Sequence, residues 1–320
     1  SSLYNGSQTL CFSSGMSSIG ASLGSLITKD SIIITFGNFY RKSRSLIEQL
    51  KIKSNIKTIN FLEYKKFIKW SLKNKKKGKK IIFFLEIPSN PFLKVIDIFD
   101  IKKRFKNSTI IVDLSFSGIK NDKNIFSVSD ILIFSLTKYI RGHNDVLVGA
   151  VVIKNKKNYS KIWDYRSTFG SVLDVYGSHL TLRSLKTYDL RIEKMLQNTK
   201  IILKELSNFK NVINIWYPGE YENKTQRLRF SKCLKHGGSV ITFEMKISNS
   251  ANLFKKMKTI KMAPSFGSVD TLIEWPYYMS YFSQSEAKLK KINITKNLIR
   301  LAVGCEESSK LIKDLKTLNK

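Results

Sequence analysis

The most reactive arrangement in this sequence is a lysine that follows a short apolar run. Residues 131–134 are all apolar and are bounded by polar residues, which predicts a buried strand. Ser135, Thr137 and Lys138 come directly after it. A lysine held against a core loses hydration, so its pKa falls below the free value of about 10.4 and its amine can form a Schiff base. The two hydroxyls could bind a phosphate beside it. A structural lysine that ends a strand is an equally consistent interpretation of these residues alone.

Polar side chains also follow three other predicted strands. Tyr40 comes after the strand 32–36, Asn90 lies in a proline-flanked loop after 81–86, and Asp113 stands at the end of 109–116. In open α/β sheets, ligands bind at the carboxyl ends of the strands. A flat cofactor ring with a charged nitrogen would use a stacking tyrosine and a partnering aspartate. Without any ligand, Tyr40 could be a packing residue and Asp113 could pair with a structural arginine.

A turn of small residues opens a helical pattern near the start of the chain. Ser13, Ser14 and Gly15 precede apolar residues at helical spacing. The free N–H groups at the start of a helix bind anions. Gly15, Met16 and Ser17 are therefore candidates for a phosphate cradle, although many helices begin in this way without a ligand.

Arg300 stands among apolar residues in the predicted strand 297–303. A buried arginine needs an anionic partner. The carboxylate of a substrate would fit its fork, and an internal salt bridge would satisfy it equally well. The sequence leaves both interpretations open.

The elements that must position these residues follow a βαβ order. Apolar runs alternate with helical patterns, which predicts an α/β fold with a mainly parallel sheet. Residues 1–200 would form this large domain, with a long helix or helix pair at 177–206. Residues 201–320 would form a small α+β domain. Its expected strands are 240–244 and 297–303, and its expected helices are 253–260 and 306–318. We find no dinucleotide-binding or P-loop motif.

Composition excludes several classes of protein. The chain has 320 residues, of which 42% are hydrophobic, and it contains no apolar run of transmembrane length and no visible signal peptide. Its three cysteines lack metal spacing and indicate a reducing compartment, so we expect a cytoplasmic protein without a metal site. The net charge of +32 would suit nucleic-acid binding, but the excess is mostly lysine spread through the chain. We interpret it as compositional drift and interpret the run 73–80 as a solvated loop. We expect neither a nucleic acid nor a membrane as a partner.

The chain resembles the pyridoxal-phosphate enzymes of Cys/Met metabolism over nearly its whole length. Several blocks in the family's order carry this resemblance. They are Ser14-Gly15-Met16, Tyr40-Arg41-Lys42-Ser43-Arg44, the block 88–97, the block 135–145, the block 182–187, the block 263–267, Met279-Ser280-Tyr281 and the block 298–301. The Met-Ser-Tyr block and the Asn-Asp pair after Gly142-His143 favour the plant-type cystathionine γ-synthases within that family.

The resemblance implies the type I aminotransferase fold, pyridoxal 5'-phosphate as cofactor and a role for each candidate. Lys138 would hold the cofactor and move protons, Asp113 would pair with the ring nitrogen, and Tyr40 would stack on the ring and assist proton transfer. Gly15, Met16, Ser135 and Thr137 would bind the phosphate. Asn90 and Arg300 would bind the substrate carboxylate, Ser265 would steady Lys138, and Glu274 matches a position that helps to select γ- over β-chemistry.

The implied reaction is γ-replacement, in which cysteine displaces the activating group of an O-activated homoserine and L-cystathionine forms. The expected assembly is a homotetramer built as a dimer of dimers. A cystathionine γ-lyase or an O-acylhomoserine sulfhydrylase of the same family is an alternative. An inactive paralogue that still binds the cofactor is another.

The sequence departs from the family pattern in three places. The chain begins without Met, and we expect that the N-terminal arm of the family is absent from it. Leu114 follows the aspartate where the family has a small or polar residue, and residues 116–118 are Phe-Ser-Gly. Arg141 replaces a glycine near the lysine. These changes leave Lys138 and Asp113 in place but allow slow, altered or lost activity.

Overall fold

The computed structural model describes residues 3–5, 7–74, 80–220, 223–246 and 256–319. Within these ranges, none of the helices is both long and apolar enough to cross a membrane. Two β-sheets organise this part of the chain, one of seven strands and one of five.

The larger sheet confirms the predicted, mainly parallel architecture. Its strands are β1 (Gln8–Phe12), β2 (Ile32–Phe36), β3 (Lys57–Phe61), β4 (Ile81–Glu86), β5 (Thr109–Asp113), β6 (Ile131–Ser135) and β7 (Gly149–Ile153). They lie in the order β1-β7-β6-β5-β4-β2-β3. Neighbours from β6 to β3 run parallel, and β7 is antiparallel to both of its neighbours. The carboxyl ends of β2, β4, β5 and β6 therefore share one edge.

Burial on both faces explains why the central strands are continuous apolar runs. All six residues of β4 are buried. Alternate side chains enter two separate cores: Ile82 belongs to one and Phe83 to the other. The edge strand β3 is only half-buried.

Helices cover both faces of this sheet. They are α1 (Gly15–Gly24), α2 (Arg41–Ser54), α3 (Tyr64–Asn74), α4 (Ile98–Arg104), α5 (Ile125–Val128), α6 (Lys156–Thr168), α7 (Val175–Leu185) and α8 (Tyr188–Ser207). Polar side chains begin several of them. Ser14 caps α1 by accepting from the Ser17 N–H, and Asp97 caps α4 by accepting from the Asp100 N–H.

The second sheet contains β8 (Val212–Trp216), β9 (Val240–Met245), β10 (Lys261–Met262), β11 (Leu272–Glu274) and β12 (Leu298–Ala302). Its order is β10-β11-β12-β9-β8, and all pairs except β10–β11 are antiparallel. Helices α9 (Lys224–Cys233), α10 (Glu286–Lys291) and α11 (Ser308–Lys316) accompany it.

Helix α8 connects the two regions. Tyr188 and Met195, toward its start, belong to the core of the large sheet, whereas Ile202 and Leu206 belong to the core of the second sheet. The expected domain boundary at residues 200 and 201 falls inside this helix. The two-domain division remains a prediction.

Some elements differ from the sequence-based expectations. The strands β1 and β3 were not predicted. The expected helix 253–260 is wrong at residues 256–260, which are not helical, and residues 253–255 lie outside the described ranges. Residues 75–79 of the predicted lysine-rich loop also lie outside them. The expected helix pair at 177–206 is confirmed as α7 and α8.

Candidate active site

Lys138 lies in the loop after β6, and its amine contacts the loop between β10 and β11 of the second sheet. Its Nζ donates to Ser265 Oγ at 2.9 Å and lies 5.0 Å from the centroid of the Phe266 ring. Burial, and secondly the Arg300 guanidinium, lower the pKa of Lys138 to about 8, although Glu274 acts in the opposite direction. Near neutral pH, this lowering increases the uncharged fraction of the amine by about two orders of magnitude.

Arg191 holds the loop that carries this lysine. Its Nη1 donates to Tyr139 O at 2.7 Å, and its Nη2 donates to Ile140 O at 2.8 Å. Gly142 lies against the same guanidinium with a φ of +70°, and a Cβ there would stand 2.1 Å from Nη1. Arg191 is therefore a buried anchor of the Lys138 loop, with 7% of its surface exposed.

Asp113 is the last residue of β5, and its carboxylate is buried. One oxygen accepts the Ser115 N–H at 2.9 Å. Among the described residues, no lysine or arginine forms an ion pair with it. Burial raises the pKa of Asp113, while the Ser115 hydrogen bonds act to lower it. A buried carboxylate of this kind is stabilised by a cationic donor, which is what a protonated pyridine nitrogen provides.

Tyr40 caps the sheet edge at the start of α2. Tyr40 is 43% exposed, which is compatible with an aromatic ring that stacks on a ligand. Burial of the remainder raises the pKa of Tyr40, although Arg41 acts to lower it. Its backbone N–H donates to Glu86 Oε2 at 2.8 Å.

Glu86 was not among the predicted site residues. It ends β4 and pairs in register with Asp113. The signal that could have revealed it is the same one that identified Asp113, a carboxylate at the carboxyl end of a buried strand. Burial and the neighbouring Asp113 raise the pKa of Glu86 to about 8.

The predicted phosphate cradle comes together at the start of α1. A Cβ on Gly15 would stand 3.0 Å from Ser135 Cβ, so the helix start and the end of β6 are adjacent. The Ser17 N–H is occupied by the Ser14 cap at 3.0 Å, which leaves Gly15 and Met16 to offer backbone donors. Their N–H groups make no hydrogen bond within the described part of the chain.

Thr137 stands apart from this arrangement. Its Oγ1 donates to Val148 O at 3.2 Å and accepts the Val148 N–H at 2.8 Å. The hydroxyl would have to leave Val148 O before it could donate to a phosphate. Ser135, whose Oγ has no hydrogen-bond partner among the described residues, is the freer donor.

Arg300 is buried in β12 and already has an anionic partner. Its Nη2 lies 2.5 Å from Glu274 Oε2, on the paired strand β11, and also donates to Ser265 O at 3.3 Å. Its Nη1 donates to Asn90 Oδ1 at 3.1 Å, while its Nε has no partner within the described residues. The internal salt bridge anticipated as an alternative is therefore present. It gives Glu274 a direct role in holding Arg300, which is distinct from the expected role in reaction selectivity.

The two unusual residues near the site have structural explanations. Arg141 is fully buried, and its Nη2 lies 2.7 Å from Asp145 Oδ1, so its charge is neutralised within the loop. Leu114 is fully buried in the core beneath the large sheet. Neither residue displaces Lys138 or Asp113.

The side chains present fit pyridoxal phosphate. Lys138 supplies an amine of lowered pKa. Asp113 supplies a buried carboxylate without a lysine or arginine partner among the described residues, and the start of α1 supplies two backbone N–H groups without an acceptor in the same part of the chain. Within the described residues, no group of three or more His, Cys, Asp or Glu side chains could hold a metal ion.

Comparison with known proteins agrees with this chemistry. The family model described as Cys/Met metabolism PLP-dependent enzyme matches residues 1–318. Cystathionine gamma-lyase of Bacillus subtilis (strain 168) is 30% identical over 321 residues, which cover 98% of this chain and 82% of that protein. Chloroplastic cystathionine gamma-synthase 1 of Nicotiana tabacum is 29% identical over 321 residues, which cover 98% of this chain and 58% of that protein. Other relatives of similar identity carry the names cystathionine beta-lyase and L-methionine gamma-lyase.

A solved structure gives the same result for the fold. Cystathionine gamma-lyase from Lactobacillus plantarum, complexed with L-serine, has a TM-score of 0.90 and is 28% identical, with 99% of this chain and 82% of that chain covered. Because the sequence match runs from residue 1 to residue 318 and the fold agrees over nearly the whole chain, the protein belongs to the Cys/Met metabolism PLP-dependent enzymes, and its cofactor is pyridoxal phosphate.

Proposed function

We propose that this enzyme catalyses γ-replacement: cysteine displaces the activating group of an O-activated homoserine to give L-cystathionine. The observation that carries the proposal is the pairing of Arg300 with Asn90 beside the Lys138 amine. An α-carboxylate bound by the guanidinium and the amide would bring the α-carbon of an amino acid toward Lys138. The plant synthase among the relatives supports this choice of reaction.

The chain's own residues would divide the work as follows. Lys138 Nζ removes the proton from Cα and then one from Cβ, and its lowered pKa suits both the uptake and the return of a proton. Ser265 Oγ accepts a hydrogen bond from this amine and orients it. Bound pyridoxal phosphate supplies the electron sink, which Asp113 sustains through the ring nitrogen. The Cγ–O bond breaks with departure of the activating group, and the thiol sulfur of cysteine forms the new Cγ–S bond as its proton is released. Lys138 Nζ then returns one proton to Cβ and one to Cα.

A second candidate is a lyase that cleaves cystathionine or a related thioether. It is supported by relatives named gamma-lyase, methionine gamma-lyase and beta-lyase, which are 28–31% identical to this chain. Their identity is similar to that of the plant synthase. A sulfhydrylase that takes sulfide in place of cysteine is a variant of the first reaction. A cofactor-binding paralogue without turnover is the remaining alternative.

One set of assays separates these candidates. The holoenzyme is given O-phospho-, O-acetyl- or O-succinylhomoserine with cysteine or with sulfide, and in parallel L-cystathionine alone. Cystathionine formation from one activated homoserine supports the proposal. Homocysteine formed from sulfide identifies the sulfhydrylase. Release of 2-oxobutanoate or pyruvate from cystathionine, without any synthesis, contradicts the proposal and identifies a γ- or β-lyase. Cofactor binding without any product identifies the paralogue.

We also propose that the enzyme is a cytoplasmic homo-oligomer. Helix α7 supports an assembly because it exposes large apolar side chains: Val175 is 87% exposed, Tyr176 68% and Leu182 66%. Light scattering of the holoenzyme should give a mass of two or four chains. A monomer would contradict the proposal.

A further inference from the structure

Glu86 is a buried acid for which the proposed reaction has no use. It ends β4 beside Asp113 on β5, and because these strands are parallel and in register, both carboxylates leave the same face of the sheet. Only 8% of Glu86 is exposed. Within the described part of the chain, no lysine or arginine forms an ion pair with it. A buried carboxyl group without a cation must be explained by the hydrogen bonds that it accepts.

These hydrogen bonds connect two separate parts of the site. Oε2 accepts the backbone N–H of Tyr40 at 2.8 Å, and Oε1 accepts the backbone N–H of Asn90 at 2.9 Å. Tyr40 precedes α2 and makes no side-chain capping hydrogen bond. Asn90 belongs to the loop after β4, and its Oδ1 accepts a hydrogen bond from Arg300. A single side chain thus fixes the backbone of the ring-stacking tyrosine and that of the carboxylate-binding asparagine.

We propose that Glu86 is a positioning residue that sets the placement of the Tyr40 ring relative to the Asn90 amide. This inference rests on the ring-stacking role expected for Tyr40 and on the carboxylate-binding role proposed for Asn90. Both partners are N–H donors, so two acceptor oxygens are required, and each oxygen of the carboxyl group keeps a lone pair whether or not the group is protonated. A glutamine would offer one acceptor oxygen and one NH₂ group. One of the two hydrogen bonds would be lost, and the NH₂ group would face a backbone N–H, which is also a donor. Within the described residues, Glu86 makes no hydrogen bond to Lys138 or to the start of α1, so the covalent attachment of the cofactor does not require it.

The test compares holoenzymes that carry Glu86→Gln or Asp130→Asn. Asp130 is a matched control, because its Oδ2 also accepts a backbone N–H, that of Ile110 at 2.9 Å, but at the opposite edge of the same sheet. Three properties are measured: cofactor content, the visible circular dichroism of the bound cofactor, and the Kd of 2-aminoisobutyrate from the change in absorbance. This α-methylated amino acid has a carboxylate but no Cα hydrogen, so its binding requires no turnover.

We expect Glu86→Gln to keep the wild-type cofactor content while the visible dichroism falls by about half or more and the Kd rises by about tenfold, the equivalent of roughly 1.4 kcal/mol. Asp130→Asn should stay within about twofold of the wild type in both properties. If Glu86→Gln does not fold, Glu86→Asp replaces it, because a carboxylate shorter by one methylene cannot reach both N–H groups, and the same changes are expected.

Unchanged dichroism and Kd in the Glu86 variant would overturn the inference. An equal loss in Asp130→Asn would also overturn it, since it would indicate general loosening of the sheet. So would a wild-type holoenzyme that does not bind 2-aminoisobutyrate. If the wild type binds this analogue and the two variants differ as expected, but the wild type makes no cystathionine, only the proposed function is refuted.

Discussion

Removing one charge from the pair of Arg300 and Glu274 should lower the free energy of unfolding. The two groups lie 2.5 Å apart, with side chains that are 5% and 1% exposed. The substitution Glu274→Gln leaves a guanidinium buried without an anion. Loss of one partner from such a pair typically costs about 3–5 kcal/mol. We therefore expect the free energy of unfolding to fall by about 3 kcal/mol in urea titrations, with the denaturant slope unchanged.

The double variant tests whether the cost arises from the uncompensated charge. Glu274→Gln combined with Arg300→Gln removes both charges, so it should be more stable than Glu274→Gln alone. In the single variant, added acetate should recover part of the lost stability by binding the freed guanidinium, and it should have little effect on the wild type.

An exposed ion pair provides the control for this experiment. Lys261 Nζ and Asp270 Oδ1 lie 2.8 Å apart, but their side chains are 64% and 38% exposed. Breaking that pair with Asp270→Asn should cost less than about 1 kcal/mol. If Glu274→Gln lowers the free energy of unfolding no more than Asp270→Asn does, water screens the pair in β11 and β12. The claim that an uncompensated buried charge destabilises the fold would then be refuted.

Two further changes test the cofactor site. Arg300→Gln should raise the pKa of Lys138 from about 8 part of the way toward its ordinary value. Burial, the larger cause of the lowering, remains in the variant, but the contribution of Arg300 is lost while Glu274 still acts to raise the pKa. The pH dependence of amine labelling in cofactor-free protein measures this shift, and a pKa that stays at its original value or falls would contradict the assignment. Gly15→Ala should weaken cofactor binding by about tenfold or more, because its Cβ would stand 3.0 Å from Ser135, whereas Gly20→Ala in the same helix meets no atom within 4 Å and should bind normally. Fluorescence titration with pyridoxal phosphate compares the two, and equal affinities would refute the cradle.

The sequence predicted the central strands because burial on both faces makes them uninterrupted apolar runs. The strand β3 was missed because it is a half-buried edge strand that begins with an exposed lysine and includes an asparagine. The strand β1 was missed because its antiparallel partner β7 lies about 140 residues away, and no local pattern reports such a pairing.

The site was predictable where a single residue carries the chemistry and less so where contacts between distant segments decide. Asp113 ends a strand and Lys138 closely follows one, and both positions can be recognised in the sequence. Arg300 stayed ambiguous because only the register of β11 and β12 places Glu274 opposite it. The anchoring role of Arg191 was not predicted because the carbonyls that it binds are 51 and 52 residues away.

The central claim is that Lys138 carries the cofactor, and covalent trapping tests it most directly. The purified protein is incubated with pyridoxal phosphate, reduced with borohydride, digested and mapped by mass spectrometry. The structure predicts one phosphopyridoxyl group per chain on the peptide that contains Lys138, and none in a Lys138→Ala variant. A label spread over the many surface lysines, or a label that persists unchanged in that variant, would contradict the claim.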